Sequence, residues 1–284
     1  MRRSVGPSLT GRAREAELEF WTGVARAFGG AVFFSIPLLM TMEMWWLGFY
    51  IHRGRLALFM LVMIPMLVGL SHFSGFKPTG GWPDDVVDAF VAYGVGFVAS
   101  ASTLLVMGIV DFSMTLSEIV GKISVEAVPA SIGAVLARSQ FREPGEVEEE
   151  RKAETGYWGE LFLMAAGAVF FAFNVAPTEE MIVIAYKMTR AHAILLAIGS
   201  LLMMHAFVYA VDFRGQHVIP EGTPWWSIFL RFTITGYAIA LALSAYVLWT
   251  FGRFEISALS MIIEESIVLA FPASLGAAAA RLIL

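Results

Sequence analysis

The chain has no cysteine. That excludes disulfide bonds, thiolate metal sites and cysteine nucleophiles. Charge is also scarce. Asp, Glu, Lys and Arg make up 15% of the 284 residues, against about 25% in an ordinary soluble domain. The five histidines, His52, His72, His192, His205 and His217, fall in no HxxxH or HExxH pattern. A zinc or di-metal hydrolase is therefore disfavoured. Phosphate-cradling loops, GxSxG nucleophile elbows and dinucleotide fingerprints are lacking too, so neither a cofactor nor a common catalytic scaffold is expected. The net charge of −5 leaves no basic excess for nucleic acid.

What fills the chain is apolar. Hydrophobic residues make up 58% of it and the mean hydropathy is +0.71. Surface of that kind has no aqueous fold to hide in and points to an all-α, polytopic membrane protein. Eight apolar segments can be drawn, at 29–50, 55–75, 89–110, 114–137, 159–186, 191–211, 228–251 and 257–281. Each is near the ~20 residues that cross a hydrocarbon core, and in lipid an open-ended span has to be helical. The polar, Arg-rich residues 1–28 read as a retained cytoplasmic segment rather than a signal peptide. Placing the N-terminus inside puts thirteen of the nineteen Lys and Arg on the cytoplasmic side. The expected location is therefore a bacterial inner membrane with both termini cytoplasmic.

The chain also says nearly the same thing twice. Residues 30–44 read GAVFFSIPLLMTMEM and residues 167–181 read GAVFFAFNVAPTEEM, with eight of fifteen positions identical. PASIGAVLAR at 129–138 returns as PASLGAAAAR at 272–281, with seven of ten identical. The order is kept and the offsets are 137 and 143. This predicts two tandem four-helix repeats, 29–138 and 158–284, joined by a charged cytoplasmic linker at 139–157. Four helices per unit is even, so both repeats keep one orientation, related by a pseudo-two-fold axis along the membrane normal.

With the GAVFF…TxE and PAS(I/L)GA…AR elements in view, the chain resembles an uncharacterised bacterial family of integral membrane proteins. The resemblance covers most of residues 20–284. It implies a membrane fold and carries over no activity and no functional residue.

Charges inside spans are costly and so mark functional hypotheses. Glu43 and Glu180 occupy equivalent positions, with Glu179 beside the second. Facing carboxylates across a pseudo-axis would suit a cation, or a proton shared between them. Each could equally hydrogen-bond a neighbouring helix. In the fourth segment Glu118, Lys122 and Glu126 form an i, i+4, i+8 stripe, either a self-neutralised ladder or the lining of a path. Lys122 would be an internal counter-charge, because the eighth segment has Glu264 and Glu265 where the fourth has Gly121 and Lys122. Asp111 and Glu255 also correspond and could form an acidic mouth. Pro37, Pro177, Pro129 and Pro272 would break helices and free carbonyl oxygens, hard ligands of the kind cations prefer, or would only shape packing. Small residues Ala92, Gly96 and Ser100 recur as Gly236, Ala240 and Ser244 and read as a packing stripe.

These features converge on cation transport, as a channel or a proton-coupled exchanger, through a carboxylate-lined site between the repeats. The ion-binding candidates are Glu43, Glu180, Glu179, Glu126, Glu264 and Glu265, and the cargo would be H⁺, K⁺, Na⁺ or Ca²⁺. The expected partners are the bilayer and that ion, and a homo-oligomer is compatible with them. The rival readings are a membrane-embedded lipid-modifying enzyme and a non-transporting scaffold or sensor.

Overall fold

The structure is a computed structural model that describes residues 9–74, 81–140, 156–210, 225–255 and 257–283. These residues form helices and no strands. Eight of the helices are long and apolar enough to cross a membrane. In the N-terminal half the helices are α1 (Leu9–Leu39), α2 (Met42–Tyr50), α3 (Arg53–Ser74), α4 (Trp82–Val106) and α5 (Leu116–Gln140). In the C-terminal half they are α6 (Tyr157–Val175), α7 (Glu179–Lys187), α8 (Arg190–Ala210), α9 (Trp225–Ile228), α10 (Thr235–Thr250) and α11 (Leu259–Ile283). A π-helical turn, Phe229–Ile234, joins α9 to α10. Most of the linker expected at 139–157 lies outside the described residues.

Two expected spans are each two helices. The first breaks after Leu39 and the fifth after Val175. Apolar residues continue through the first break, so hydropathy does not register it, whereas the second carries the polar run Thr178, Glu179 and Glu180. Backbone capping makes both breaks. Thr41 N–H donates to the Leu38 carbonyl (2.9 Å) and Thr178 N–H to the Val175 carbonyl (3.0 Å). Each threonine then stands in extended conformation as the N-cap of the next helix, its hydroxyl donating back to the preceding helix end, Thr41 to the Pro37 carbonyl and Thr178 to the Val175 carbonyl, rather than to the helix it starts. Pro37 lies inside α1, Pro129 inside α5 and Pro272 inside α11. Pro177 sits between α6 and α7, where its missing N–H costs no helical bond.

The most extensive pairings are α1 with α5 and α6 with α11, and glycine explains both. A Cβ on Gly30 would collide with Ala137 Cβ and lie 2.8 Å from the Gly133 carbonyl oxygen. A Cβ on Gly167 would collide with the Gly276 carbonyl and lie 2.5 Å from Ala280 Cβ. The duplicated blocks are thus each other's packing partners, GAVFF against the helix that carries PAS(I/L)GA. Small residues let the backbones approach closely where lipid supplies no hydrophobic drive between helices.

The halves meet along an aromatic seam. Phe59 stacks on Phe173 at 5.1 Å, Phe34 meets Phe170 at 5.9 Å, and Phe73 meets Phe162 at 5.4 Å. At one end Arg55 ties the halves together. Its guanidinium bonds Glu255 (2.9 Å) and the Trp249 carbonyl (3.1 Å) and lies over the Trp249 ring. The helix α3 packs against its own half and also touches α6 and α10.

Candidate functional site

The strongest polar features inside the bundle lie on α5 and α11. Helix α5 is the most enclosed span, with 78% of its membrane window buried. Its neighbours α1, α2, α3 and α4 cover it on several sides. A Cβ on Gly48 of α2 would lie 2.5 Å from Lys122 Cα, so α2 rests directly on the α5 backbone. Arg53 holds the end of α2 there, donating to the Gly48 carbonyl (3.4 Å) and to Ser117 Oγ (2.9 Å).

Along the predicted stripe, Lys122 is buried and fully engaged. Its Nζ pairs with Glu118 Oε1 at 3.0 Å and reaches the Ile109 carbonyl (3.3 Å) and Met114 Sδ (3.6 Å). One turn farther on, Glu126 is 1% exposed. Both of its carboxyl oxygens are buried without a hydrogen-bond partner among the described residues. The stripe therefore divides into a neutralised pair, Glu118–Lys122, and one carboxyl that this pair does not reach.

On α11, Glu265 is also 1% exposed. Ser257 Oγ donates to its Oε1 at 3.4 Å, and its Oε2 is buried without a partner among the described residues. Arg253 lies near enough for electrostatic attraction but is engaged elsewhere, donating through Nη2 to the Pro177 carbonyl. The Lys122–Glu265 pair that the sequence alignment of the halves allowed does not form. Each group is held within its own half, Lys122 by α5 and the loop before it, Glu265 by the loop before α11. Glu264, next to Glu265, is half-buried.

Glu43, Glu179 and Glu180 are placed differently. Glu43 is half-buried in the first turn of α2, and Glu179 and Glu180 are exposed in the first turn of α7. Helix α2 packs on α5 and α7 on α11. A carboxylate in a first turn favours the helix dipole. The repeated TxE is thus an N-cap followed by a first-turn acid, and the Glu43–Glu180 equivalence is an equivalence of helix starts. The carbonyl that the break exposes is that of Pro177, and Arg253 takes it.

The two acids expected at a mouth are also occupied. Glu255 belongs to the Arg55 latch. Asp111, fully exposed, accepts from the Ser113 hydroxyl and from the Ser113 N–H (2.6 Å). The hydroxyl first and the backbone second hold its carboxyl below the usual range.

Two polar pairs were not anticipated. His72 Nδ1 lies 2.8 Å from Asp85 Oδ2 across α3 and α4, with the imidazole stacked on Trp82 at 4.4 Å. His205 Nδ1 lies 2.9 Å from Thr233 Oγ1, joining α8 to the π-helical turn. Both pairs arise from tertiary packing across a connection, so residue spacing carried no signal of them. Among the described residues no three of His, Asp and Glu converge as a metal-binding group.

The chain belongs to the family described as "Putative integral membrane protein (DUF2391)", whose model matches residues 23–284. That description names a membrane protein and no activity. No curated protein and no solved structure matches the chain.

Proposed function

We propose that this integral membrane protein moves a cation across the bilayer, with Glu126 and Glu265 as the central carboxyl groups. The observation that carries the reading is their burial with oxygens that find no hydrogen-bond partner among the described residues, both on Glu126 and one on Glu265. A buried carboxylate whose oxygens lack hydrogen bonds is strongly disfavoured. Such a group meets its electrostatic demand by taking up a proton or a cation. One on a helix of each half gives two stations for a moving positive charge. Lys122, one turn from Glu126, is neutralised by Glu118 and leaves the Glu126 carboxyl free to take the moving charge. Glu43, Glu179, Glu180 and Glu264 are peripheral acids that raise the local cation concentration at the entrances. In this reading the halves are tandem, same-orientation repeats in a bacterial inner membrane, with cytoplasmic termini.

The test is flux of H⁺, K⁺, Na⁺ and Ca²⁺ in proteoliposomes. Wild type would be compared with Glu126→Gln, Glu265→Gln and the Glu43→Gln/Glu180→Gln double variant. Loss of flux in the first two, with the double variant retaining it, is expected. Loss in the double variant alone would return the site to the helix starts. Equal flux in all proteins, or none in wild type, would sink transport and leave a scaffold.

A further inference from the structure

The loop between α10 and α11 holds a cation with a choice of acceptors. Gly252, in the left-handed conformation (φ 76°), follows the end of α10. The Arg253 N–H then closes back on the Leu248 carbonyl (3.0 Å), a common way for a helix to end. This fixes the Arg253 backbone and leaves its side chain to select a partner. Nη2 donates to the Pro177 carbonyl, in the break between α6 and α7. Ser257 Oγ lies 3.2 Å from the Arg253 carbonyl oxygen and 3.4 Å from Glu265 Oε1. One hydroxyl therefore links the arginine's backbone to the buried carboxyl of α11.

Two polar atoms around that serine are left over. Arg253 Nε and Glu265 Oε2 are both buried without a hydrogen-bond partner among the described residues. An arginine gains more from a carboxylate than from a neutral carbonyl. The carbonyl therefore keeps it only while the charge of the carboxyl is met in another way. The break between α1 and α2 is closed differently. There the Leu39 carbonyl accepts from Trp45 Nε1 (2.8 Å) and the Pro37 carbonyl from the Thr41 hydroxyl. Both donors are neutral and local, and neither has a charged acceptor to leave for. The α6–α7 break depends instead on a guanidinium 76 residues farther along the chain.

We propose that Arg253 is a tethered cation that competes with the transported cation for Glu265. With a proton or a metal ion on Glu265, the guanidinium stays on the Pro177 carbonyl and braces the start of α7. When that charge leaves, the guanidinium turns to Glu265 Oε2 and releases the carbonyl. The carboxylate is never left bare, and the occupancy of one station sets the stiffness of a helix break in the same half. The identity of the competing cation rests on the transport reading, whereas the two positions of the arginine rest on geometry alone.

The test is amide hydrogen exchange, read by mass spectrometry on segment 176–187 of the full chain in detergent. An alkaline buffer with choline as its sole cation leaves Glu265 without proton or metal ion. Glu265→Gln mimics the neutralised carboxyl and should keep the arginine on the carbonyl. Its segment should exchange about 10-fold more slowly than that of wild type, the effect of roughly one hydrogen bond from a charged group. Arg253→Gln, and the double variant with it, should exchange as fast as wild type. Slow exchange in both wild type and Glu265→Gln would overturn the proposal and leave Arg253 a fixed brace. Fast exchange in both would overturn it by removing the link to α7. This comparison leaves position 253 untouched, so it decides the matter if Arg253→Gln misfolds. In proteoliposomes, Arg253→Gln should lower the apparent KM for the carried cation while slowing turnover, whereas loss of a mere brace would slow turnover with KM unchanged. Absence of flux in wild type would overturn the transport reading and leave the arginine switch to be decided by the exchange comparison.

Discussion

The α1–α5 and α6–α11 crossings use the same residues at their contact and different ones beside it. Gly30 faces Gly133 and Ala137 in one, and Gly167 faces Gly276 and Ala280 in the other. Past the shared prolines Pro129 and Pro272, the halves part. Glu126 stands where the C-terminal half has Leu269, and Lys122 where it has Glu265. A glycine contact tolerates almost no change, because any side chain would meet backbone, whereas an inward polar position one or two turns away can be exchanged if its new charge finds a partner. The N-terminal half carries a lysine with its own glutamate and a second, unpaired carboxyl. At the equivalent place the C-terminal half carries Glu265, with the loop residue Arg253 near enough for electrostatic attraction but bonded to the Pro177 carbonyl. The two crossings share their glycine contacts and differ in the charges beside them.

Breaking the common part should have the largest effect. Gly30→Leu and Gly167→Leu each drive a side chain into a facing helix. Overpacking usually costs about 1–3 kcal/mol, and a clash with backbone carbonyls that cannot turn aside belongs at or above the top of that range. Both variants should lose the monodisperse peak in detergent size-exclusion chromatography. A well-folded Gly167→Leu would show that the two crossings are not alike.

Removing the difference at position 126 should act in the opposite direction on stability. Glu126→Leu gives α5 the residue α11 already has at position 269. It removes a buried group without a hydrogen-bond partner, and relief of such a group is worth about 1–3 kcal/mol. Thermal melts in detergent should rise while cation flux disappears. A fall in melting temperature would mean that Glu126 has a stabilising partner, and the central carboxyl would have to be sought elsewhere.

The seam between the halves is the mildest place to intervene. Arg55→Ala removes the ion pair with Glu255, the bond to the Trp249 carbonyl and the stacking on its ring. Because Glu255 is exposed, the ion pair itself is worth no more than about 1 kcal/mol. The expected outcome is a small drop in melting temperature, with faster disulfide cross-linking between cysteines placed on α3 and α10. Unchanged cross-linking would show that the aromatic contacts alone hold the halves together.

Much of this architecture could be read from residues alone. Hydropathy locates the spans, since a run of apolar residues near ~20 long has few alternatives. The repeated blocks mark the two crossings, although not that each block packs on the other. The break at Thr41 leaves no hydropathy signal, because the chain stays apolar as it turns, whereas the polar run at Thr178, Glu179 and Glu180 is outweighed by the apolar residues on either side. On continuous helices Glu43 and Glu180 sit within spans, whereas on broken ones they lie in the first turns of short helices. Glu126 and Glu265 were recognisable as charged residues within spans. That Glu126 lacks the lysine one turn away, which Glu118 has already engaged, depends on side-chain geometry that no spacing rule conveys.

The helix α8 leaves its neighbours least involved, with 17% of its membrane window buried, against 44% for α3, which takes the corresponding place in the other half. A transmembrane helix takes its tilt from the helices it packs against and from its interfacial anchors. For α8 the first of these comes mainly from α11, so the rest of its surface is left to answer hydrophobic mismatch. With the smallest buried share of any span, α8 is the one whose tilt should change most with the thickness of the bilayer, leaning in a thinner one and straightening in a thicker one.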